Sequence, residues 1–537
     1  MQSKENQNYL KNAKYINTKH NSTGITLIAL VLTIIVLIIL AGTTIHLLLG
    51  NNGVISKAHD AKKEMEVQEE IEILKLITAN LISKAENENI KKETLISELD
   101  RTLGKDIYNL SGETPLFLVT YKNSGRSYKI FPDTGDVLQV LDIANLKGKK
   151  VNKKTVAIDK NNDIVIIPEG FNISKDSPEE VTKGLVVADT AGNEYVWIPI
   201  FQKNDQRTWG IDYSSVSHDK DYKNIEASLK VYTGTYASNN FSDSWYGDDE
   251  FGKFGYYNGE KFIFYTNGNM TEEEYNTSYQ NMLESVYING GFYIGRYEMG
   301  IGLATNPSYA LSISREGVKE YTVSEATSSS TQIVENGAPS IQGMPTPIIK
   351  ENAVPYSDIT QSQAQMLAEK IGIENNYGTT TSSLLYGVQW DAVCVFIENC
   401  DENNTASIKS QWLTSYTYAK KWGNYKSSSF TMDRGFFFTT NDAGEDVWIE
   451  KQEKTSNEYG QITTGASDQN SSLNIYDFAG NLFEWTLESS NEYNSPTVVN
   501  GSSYTRNSSK GASAARRDSD RITRAYSNVG GRIALYL

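Results

Sequence analysis

The sequence predicts an α+β protein in which an N-terminal membrane-spanning helix precedes a small sheet and a larger domain of mixed helices and strands. Three observations predict it: an apolar run at residues 25–49, helical spacing of apolar residues over 58–86, and short strand patterns separated by turn residues from 115 onward. A chain of 537 residues is also too long for one hydrophobic core, so about three domains are expected.

The apolar run is the most specific feature of the N-terminal region. Residues 25–41 contain two polar side chains, Thr26 and Thr33, and no charge. A bilayer about 30 Å thick is crossed by a helix of roughly 20 apolar residues. The preceding residues 1–24 carry four lysines and one acid, and positively charged flanks stay cytoplasmic. We therefore expect a single-pass membrane protein with a cytoplasmic N-terminus and the rest of the chain extracellular.

The small residue Gly24 stands directly before the apolar run, whereas a secretory signal peptide has its small residues after it. This arrangement resembles the leader of type IV prepilins and pseudopilins. The resemblance implies that a prepilin peptidase cuts between Gly24 and Ile25, that Ile25 is then methylated, and that other pilin subunits are partners. The family usually has glutamate at the fifth mature position, where this chain has Ala29, which suits a minor or initiating pilin. A plain membrane anchor is the alternative interpretation.

The predicted domains follow in order: a leader over 1–24, a transmembrane or filament helix over 25–50, and a pilin-like helix and sheet over 51–145. The helix is predicted because its apolar residues recur at three- and four-residue steps. These residues are Val67, Ile71, Leu74, Ile77 and Leu81. Residues 115–142 alternate like strands, with turns at 123–125 and 133–135.

A β-rich connector is predicted over 146–190, ahead of a domain spanning 191–537. Residues 159–171 and 183–200 are each predicted to form a hairpin, because apolar runs flank turn signals. The polar and aromatic stretch 201–285 is interpreted as insertion loops around strands, and the Ser/Thr-rich stretch 322–340 as a surface loop.

Charge and cysteine content exclude some functions. A net charge of -16 argues against a nucleic-acid partner, since phosphate binding needs a basic surface. The two cysteines, Cys394 and Cys400, do not have a common zinc-binding spacing, and only four histidines occur. A local disulfide and two buried thiols both remain open.

Several blocks of the C-terminal region carry a second resemblance. In order, they are GGFYIGRYEMG (290–300), DITQSQAQMLAEKIG (358–372), LLYGVQWDAVCVFIE (384–398), NIYDFAGNLFEWTLE (474–488), VVNGSSY (498–504), AARRD (514–518) and NVGGRIALYL (528–537). They resemble the formylglycine-generating-enzyme, or sulfatase-modifying-factor, domain over residues 190–537, which implies a C-type-lectin-like fold.

The residues of these blocks also predict packing. The turn at 479–481 needs positive φ, which Gly and Asn permit. Leu482, Phe483 and Trp485 are expected in the core, with Glu484 pointing the other way. A helix over 391–398 would place Trp390, Val393 and Ile397 on one buried face.

The resemblance implies the scaffold rather than catalysis. The family's oxidases use two cysteines after the strand that corresponds to 498–504, but residues 502–518 contain none. Another branch uses iron bound by histidines, and none of the four histidines lies beyond His218. Thiolate chemistry needs the thiol itself, so we predict that the domain is not an enzyme and needs no cofactor.

A ligand-binding surface is predicted in the polar segment between the block at 498–504 and the closing block at 528–537. Its residues are Tyr504, Arg506, Asn507, Ser508, Arg516, Arg517, Asp518 and Tyr526. The Gly501-to-Asn528 composition would also fit diversification by a retroelement. The resemblance further implies possible calcium ligands at Asn481 and Glu484, the alternative being that Glu484 is a buried hydrogen-bond acceptor. Gly531 replaces an aromatic of the family, so a local gap is expected there.

The sequence thus predicts a surface-displayed minor pilin or pilus-tip adhesin with a non-catalytic lectin-like head, whose ligand is an extracellular protein or glycan. The content of 33 Tyr and 40 Gly suits an adaptable recognition surface. The alternatives are a membrane-anchored enzyme of the sulfatase-modifying-factor type, a pseudopilin of a secretion machine similar to type II, and a retroelement-diversified binding protein.

Overall fold

A computed structural model describes most of the chain beyond residue 53. The described residues are 32–40, 54–84, 90–113, 115–201, 211, 226, 229, 241–246, 255–257, 262–264, 266–303, 332–333, 340–342, 344–440, 443–444, 446–458, 460–492, 495, 497–506, 513–522 and 524–537. They divide into two compact units, Met1–Glu70 and Ile71–Leu537. The predicted processing residues Gly24 and Ile25 lie outside the described set.

In the first unit, residues 32–40 are helical and their apolar side chains are exposed. Among the residues that the structure describes, no helix has both the length and the apolar character needed to cross a membrane.

Eight further helices lie in the described ranges. They are α1 (Val54–Lys84), α2 (Lys92–Thr102), α3 (Ile143–Leu146), α4 (Glu272–Asn289), α5 (Gln361–Glu374), α6 (Gly387–Cys400), α7 (Lys409–Thr414) and α8 (Tyr416–Ala419).

The described strands run from β1 to β29. They are β1 (Tyr108–Ser111), β2 (Phe117–Tyr121), β3 (Ser127–Ile130), β4 (Val137–Asp142), β5 (Thr155–Ile158), β6 (Ile164–Ile167), β7 (Asn172–Ile173), β8 (Val186–Ala188), β9 (Glu194–Pro199), β10 (Phe241–Ser242), β11 (Gly255–Tyr257), β12 (Phe262–Phe264), β13 (Gly291–Gly295), β14 (Gly300–Leu303), β15 (Gln332–Ile333), β16 (Ala353–Pro355), β17 (Thr381–Leu384), β18 (Phe430–Thr431), β19 (Phe436–Thr440), β20 (Asp446–Glu450), β21 (Glu453–Lys454), β22 (Ser471–Ser472), β23 (Ile475–Tyr476), β24 (Phe483–Ser490), β25 (Thr497–Asn500), β26 (Arg517–Asp520), β27 (Arg524–Ala525), β28 (Val529–Gly531) and β29 (Ile533–Tyr536).

The predicted amphipathic helix is present as α1. Within the second unit, Ile71, Leu74, Ile77 and Leu81 are all buried, as their spacing predicts. The first sheet has six strands in the order β1-β2-β3-β4-β5-β6. The predicted strands of 115–142 are its members β2 to β4. Burial alternates along β2 but not along β3 or β4, and β1 is an addition that the sequence reasoning missed.

Both predicted hairpins of the connector form, but they belong to different sheets. Strands β5 and β6 extend the first sheet, whereas β8 and β9 enter a second six-stranded sheet of order β17-β29-β13-β9-β8-β7. A single hydrophobic core contains side chains from both sheets. The hydroxyl of Tyr293 in β13 also donates to the carbonyl of Ile166 in β6, at 2.9 Å.

One long helix contradicts the prediction of loops over 201–285. Helix α4 begins at Glu272, after a capping box in which Thr271 accepts from the Glu274 amide and the Glu274 carboxylate accepts from the Thr271 amide. It ends at Gly290, whose φ of 77° closes the last turn. The aromatic side chains of the helix face the core, so its tyrosines are packing residues instead of loop residues.

The third sheet carries the region of the predicted binding surface. Its order is β10-β24-β25-β26, with β28 pairing in parallel with β24. Strand β24 is buried along its whole length. The preceding turn is built as predicted, with positive φ at Gly480 and Asn481, and a side chain at position 480 would meet the Asn424 carbonyl oxygen at 2.4 Å.

The core block is confirmed for Leu482, Phe483 and Trp485, and helix α6 buries Trp390, Val393 and Ile397. The gap expected at Gly531 is not present. A side chain there would lie 2.6 Å from the Met299 Cε atom and 3.2 Å from Leu384, so neighbouring residues fill the place of the family's aromatic ring.

The guanidinium of Arg532, between β28 and β29, is fully buried and connects the second and third sheets. It donates to both oxygens of Glu484 in β24, at 2.7 to 3.1 Å. It also donates to the carbonyls of Gly295 at 2.9 Å and Tyr476 at 2.8 Å. Glu484 is therefore a buried acceptor, which corrects the expectation that it points away from the core.

Two more buried carboxyl groups lie near this arginine. Glu298 accepts from the Asn481 amide nitrogen at 2.6 Å and from the Leu482 backbone at 3.1 Å, and Asp477 accepts from the Gly465 backbone at 2.8 Å. Burial raises the pKa of Glu298 well above its ordinary value and that of Asp477 to about 7, because one guanidinium cannot compensate three desolvated carboxylates.

We predict that Asp477→Asn flattens the dependence of stability on pH. The raised pKa of Asp477 means that between about pH 4 and pH 7 the native state holds a proton that the unfolded state has released. Stability is lost as pH rises through this window, by up to about 1.4 kcal/mol per pH unit from this group. Asparagine does not titrate, accepts the same Gly465 hydrogen bond and tolerates the φ of 56° at this position.

The measurement is the free energy of unfolding of the full-length chain in urea at several pH values across that window. Asp468→Asn is the control, because the Arg434 guanidinium lowers the pKa of Asp468, and its contribution disappears only at lower pH. A slope for Asp477→Asn equal to that of the wild type would contradict the assignment.

Candidate functional site

The predicted binding segment connects β25 with β26 and continues towards β28, on the third sheet. Strand β26 pairs with β25 in antiparallel register, from Thr497 opposite Asp520 to Asn500 opposite Arg517. Of the predicted ligand residues, Asn507 and Ser508 lie outside the described residues. The other six fall into an exposed group and a buried group.

Two exposed arginines converge on one carboxylate. The Nη2 atoms of Arg506 and Arg516 lie 3.4 and 3.6 Å from Oδ2 of Asp518. Their side chains remain 47% and 32% exposed, and the Arg506 guanidinium also lies 5.4 Å from the ring centre of Phe483. Exposed ion pairs contribute only about 0–1 kcal/mol, so this group can rearrange around a ligand at little cost.

Tyr526 extends the same polar surface. Its side chain is half-buried, and its hydroxyl donates to Oδ1 of Asp520 at 2.6 Å. Nearby, the Asn528 amide donates to the Ser503 hydroxyl at 3.1 Å. The segment therefore combines hydroxyl, amide, carboxylate and guanidinium groups.

Arg517 does not belong to this surface, contrary to the sequence prediction. Its guanidinium is fully buried, 2.5 Å from Oδ1 of Asp391 and 2.7 Å from Oε2 of Glu488. It also donates to the carbonyl of Gly387 at 3.1 Å. Because Asp391 belongs to α6 and Glu488 to β24, Arg517 fastens β26 to the helix and to a more central strand of its own sheet.

The N-terminus of α6 is fixed by a further carboxylate close to this cluster. Both oxygens of Asp243 accept backbone amides, from Gly387 at 2.6 Å and Val388 at 3.0 Å. A carboxylate in this position satisfies unpaired amides and opposes the positive end of the helix dipole. Burial raises the pKa of Glu488 to about 7, against the opposing effect of the Arg517 charge.

Tyr504 also contributes little to an exposed surface. Only 8% of it is accessible, and its backbone amide donates to the Asn481 carbonyl at 2.9 Å. Tyr504 is a core residue. Its backbone hydrogen bond joins the stretch that follows β25 to the turn at 479–481, before β24. The accessible part of the predicted site is therefore the exposed Arg506 together with the half-buried Arg516, Asp518 and Tyr526.

The calcium ligands suggested at Asn481 and Glu484 do not fit a metal site. Both Glu484 oxygens are bound by Arg532. The side-chain oxygen of Asn481 accepts from the Ile462 backbone at 3.0 Å and from the Asn424 amide at 3.1 Å. Calcium needs six to eight oxygen ligands, and these oxygens already have protein donors. Within the described ranges, no group of three His, Cys, Asp or Glu side chains is arranged to hold a metal ion.

Neither Cys394 nor Cys400 forms a disulfide, so the local disulfide is not present. Cys394 is completely buried within α6, and burial raises the pKa of its thiol well above the ordinary value. Cys400, at the end of the same helix, is half-buried. Cys394 is therefore a core residue, because a thiol that stays protonated in an apolar environment is a poor nucleophile.

Three acidic residues that position the site were missed by sequence reasoning: Asp243, Asp391 and Glu488. The sequence contained one signal, since Asp391 lies among the apolar residues of a predicted buried helix face and a buried carboxylate needs a partner. Nothing in the local sequence identified Arg517 as that partner, because the two residues are distant along the chain.

We predict that Arg517→Met lowers the free energy of unfolding by about 3–5 kcal/mol, because it leaves Asp391 and Glu488 buried without their counter-charge. The matched substitution Arg506→Met should change it by at most about 1 kcal/mol, since that arginine is exposed. Chemical denaturation of the full-length chain measures both. Equal, small effects would show that Arg517 does not fasten the strand.

The chain was compared with curated proteins, solved structures and protein families. No curated protein sequence matches the chain. The solved structures that it resembles include "Crystal Structure of CarF" (13% identity, 46% of this chain and 87% of that chain, TM-score 0.25). They also include Treponema denticola variable protein 1 (13%, 46% and 85%, TM-score 0.24) and PvdO from Pseudomonas aeruginosa (14%, 46% and 82%, TM-score 0.24).

The strongest comparison is with a protein family. Residues 250–537, more than half of the chain, match the model of the sulfatase-modifying factor enzyme 1-like domain. This match confirms the resemblance carried by the sequence blocks from 290 to 537. The chain belongs to the family of proteins with a sulfatase-modifying factor enzyme 1-like domain.

Proposed function

We propose that the protein is a surface-displayed binding protein, a minor pilin or pilus-tip adhesin whose C-terminal domain presents a non-catalytic ligand-binding surface. The observation that carries this proposal is the accessible group of Arg506, Arg516, Asp518 and Tyr526, mounted on strands whose core is fastened by Arg517. A rigid support under adaptable polar side chains is the arrangement that recognition surfaces need.

The chemistry of this group favours a ligand that offers carboxylate or hydroxyl groups. Arginine presents its donors in a planar fork that matches a carboxylate, and Tyr526 adds a hydroxyl on a rigid ring. Arginine and tyrosine are also enriched among the residues that dominate binding energy. An extracellular glycan or protein can offer acceptors to the arginine guanidinium groups and to the Tyr526 hydroxyl.

The thiols support a binding role over oxidase catalysis. Residues 502–518 contain no cysteine, and the thiol of Cys394 is enclosed in the core of α6. Thiolate chemistry requires an accessible, deprotonated sulfur. The alternative of a membrane-anchored modifying enzyme would therefore depend on a different set of residues.

The pilin part of the proposal rests on the N-terminal sequence. Gly24 separates a basic leader from the apolar run, and the apolar side chains of 32–40 are exposed along their helix. An apolar helix of this kind is suited to a lipid bilayer or to the packed centre of a filament. A pseudopilin and a retroelement-diversified binding protein share this anatomy and remain alternatives within the same class.

We predict that Arg506→Ala combined with Tyr526→Phe weakens ligand binding by about tenfold or more while the free energy of unfolding changes by about 1 kcal/mol or less. The expected loss follows from removing the guanidinium of an exposed arginine and the hydroxyl of the half-buried Tyr526. Binding of the purified full-length chain to arrayed glycans and extracellular-matrix proteins measures the effect. Arg101→Ala, a substitution of an exposed arginine in α2, is the control.

Unchanged binding by the double variant would contradict the proposed surface. If binding is lost instead on deleting the aromatic stretch 238–259 while the domain stays folded, the recognition surface lies in that insertion. If the double variant unfolds, these residues support the core and the proposed surface is wrong.

We predict that a prepilin peptidase cleaves the chain after Gly24. Mass spectrometry of the protein extracted from membranes should find an N-terminal peptide that begins with N-methylated Ile25, because Gly24 lies at the border between the basic leader and the apolar run. Gly24→Leu is the matched control and should leave the leader attached. An intact leader in the wild-type protein would exclude the pilin assignment without affecting the C-terminal domain.

A further inference from the structure

A cavity of about 340 Å³ lies between the first sheet and the elements α4, β17 and β29, away from the proposed binding surface. Its lining consists of Phe131, Thr134, Asp136, Leu138, Lys154, Asn281, Glu284, Ser285, Ile288, Asn289, Thr379, Thr381, Tyr536 and Leu537. Pockets of roughly 300–1,000 Å³ are typical of sites for small molecules. The lining contains one lysine, two acidic residues and several uncharged polar residues, and these groups indicate what the cavity would bind.

Lys154 lines the cavity with a cation that has no carboxylate in direct contact within the described ranges. Its side chain is half-buried, and its Nζ atom lies 5.1 Å from the ring centre of Phe131. Among the described residues, no carboxylate oxygen lies within 4.0 Å of that nitrogen and no acceptor binds it. Burial lowers the pKa of Lys154, and Asp136 opposes this effect only from a distance.

A second lysine, Lys129, contacts the same Phe131 ring, but its nitrogen has hydrogen-bond acceptors in the protein. Lys129 is fully buried, 4.3 Å from the ring centre of Phe131, and donates to the carbonyls of Ile288 at 3.1 Å and Pro115 at 3.5 Å. Burial lowers the pKa of Lys129 to about 7, so near neutral pH only part of a positive charge adds to the potential at Lys154. The pair therefore makes this end of the cavity attractive to an anion, and Lys154 is the member that lines the cavity.

One residue of the cavity wall, Asn289, has a buried side-chain acceptor. Asn289 is 1% exposed, and its amide nitrogen donates to the carbonyls of Ser285 at 2.9 Å and Leu537 at 3.3 Å. Its side-chain oxygen has no donor among the described residues. Buried polar atoms normally have partners, so this oxygen favours a ligand that brings a hydroxyl donor.

The remaining lining suits a hydroxylated ring. Thr134, Asn281, Glu284 and Thr379 are exposed at the rim and offer hydroxyl, amide and carboxylate groups. The apolar side chains Phe131, Leu138, Ile288 and Tyr536 can cover the C–H face of a ring. The rim carboxylates of Asp136 and Glu284 would repel a ligand of high negative charge, which favours a monoanion.

We propose that this cavity binds a hydroxylated monocarboxylate of monosaccharide size, such as a hexuronic acid. Its carboxylate lies at Lys154, one hydroxyl donates to the side-chain oxygen of Asn289, and the other hydroxyls face the rim. This site is distinct from the surface around Arg506, and it does not depend on the proposed adhesin function.

Isothermal titration of the full-length chain with glucuronate and with methyl glucoside tests the proposal. The two probes have the same ring and differ in the carboxylate. We expect glucuronate to bind and methyl glucoside to bind at least about tenfold more weakly. Equal affinity for both, or no binding of glucuronate up to about 10 mM, would overturn the proposal.

A pair of adjacent lysines supplies the matched variants. Lys154→Gln should weaken glucuronate binding by about tenfold or more, whereas Lys153→Gln, at an exposed neighbouring position outside the lining, should leave it unchanged. Retained binding in Lys154→Gln would overturn the role of this lysine. If Lys154→Gln does not fold, the comparison of the two probes on the wild-type chain still decides.

Discussion

The buried guanidinium of Arg532 is the interaction on which the C-terminal architecture depends. It lies between the last two strands and donates to Glu484 of the third sheet, to the end of β13 in the second sheet and to the β23 carbonyl of Tyr476. A guanidinium presents its donors in one rigid plane, so three partners held at once fix the relative positions of the elements that carry them. Lysine, a single flexible point charge, could not replace this geometry.

Arg517 plays a comparable part at the edge of the third sheet, and it explains how a polar segment can be both support and surface. Side chains alternate between the two faces of a strand. Arg517 therefore enters the core, while Arg516 before it and Asp518 after it remain accessible to solvent. Side chains at the outward positions can change without disturbing the buried ion pairs, which is the property that a recognition surface requires.

Local patterns in the sequence predicted the elements that local physics determines. The buried face of α1, both hairpins after residue 155 and the Trp485 block follow from periodicity and turn residues. The predictions failed for residues whose position depends on contacts with residues far away in the sequence. Arg517 looks like its exposed neighbours in a polar run, and only Asp391 and Glu488, far away along the chain, place it in the core. At Gly531, Met299 fills the space that a missing aromatic ring was expected to leave.

Helix α4 was missed for a different reason. Its capping box was visible in the sequence, but the composition of the helix resembles that of the polar stretch before it. Its tyrosines and acids resemble the surrounding polar stretch, yet Thr271 and Glu274 form a capping box three residues apart. The site was therefore only partly predictable. Arg506, Arg516, Asp518 and Tyr526 could be found from residue type, whereas their supports Asp243, Asp391 and Glu488 required the fold.

The chain carries a net charge of -16, so its cationic groups at Arg506, Arg516 and Lys154 are local exceptions. At physiological ionic strength, charges are screened beyond about 8 Å, so the overall negative charge has little effect on electrostatic attraction within a site. A polyanion would nevertheless bring many charges close to an acidic surface and be repelled over its length. A single carboxylate meets only the local cation. This difference is the reason why the ligands proposed for the arginine surface and for the cavity at Lys154 carry a single negative charge.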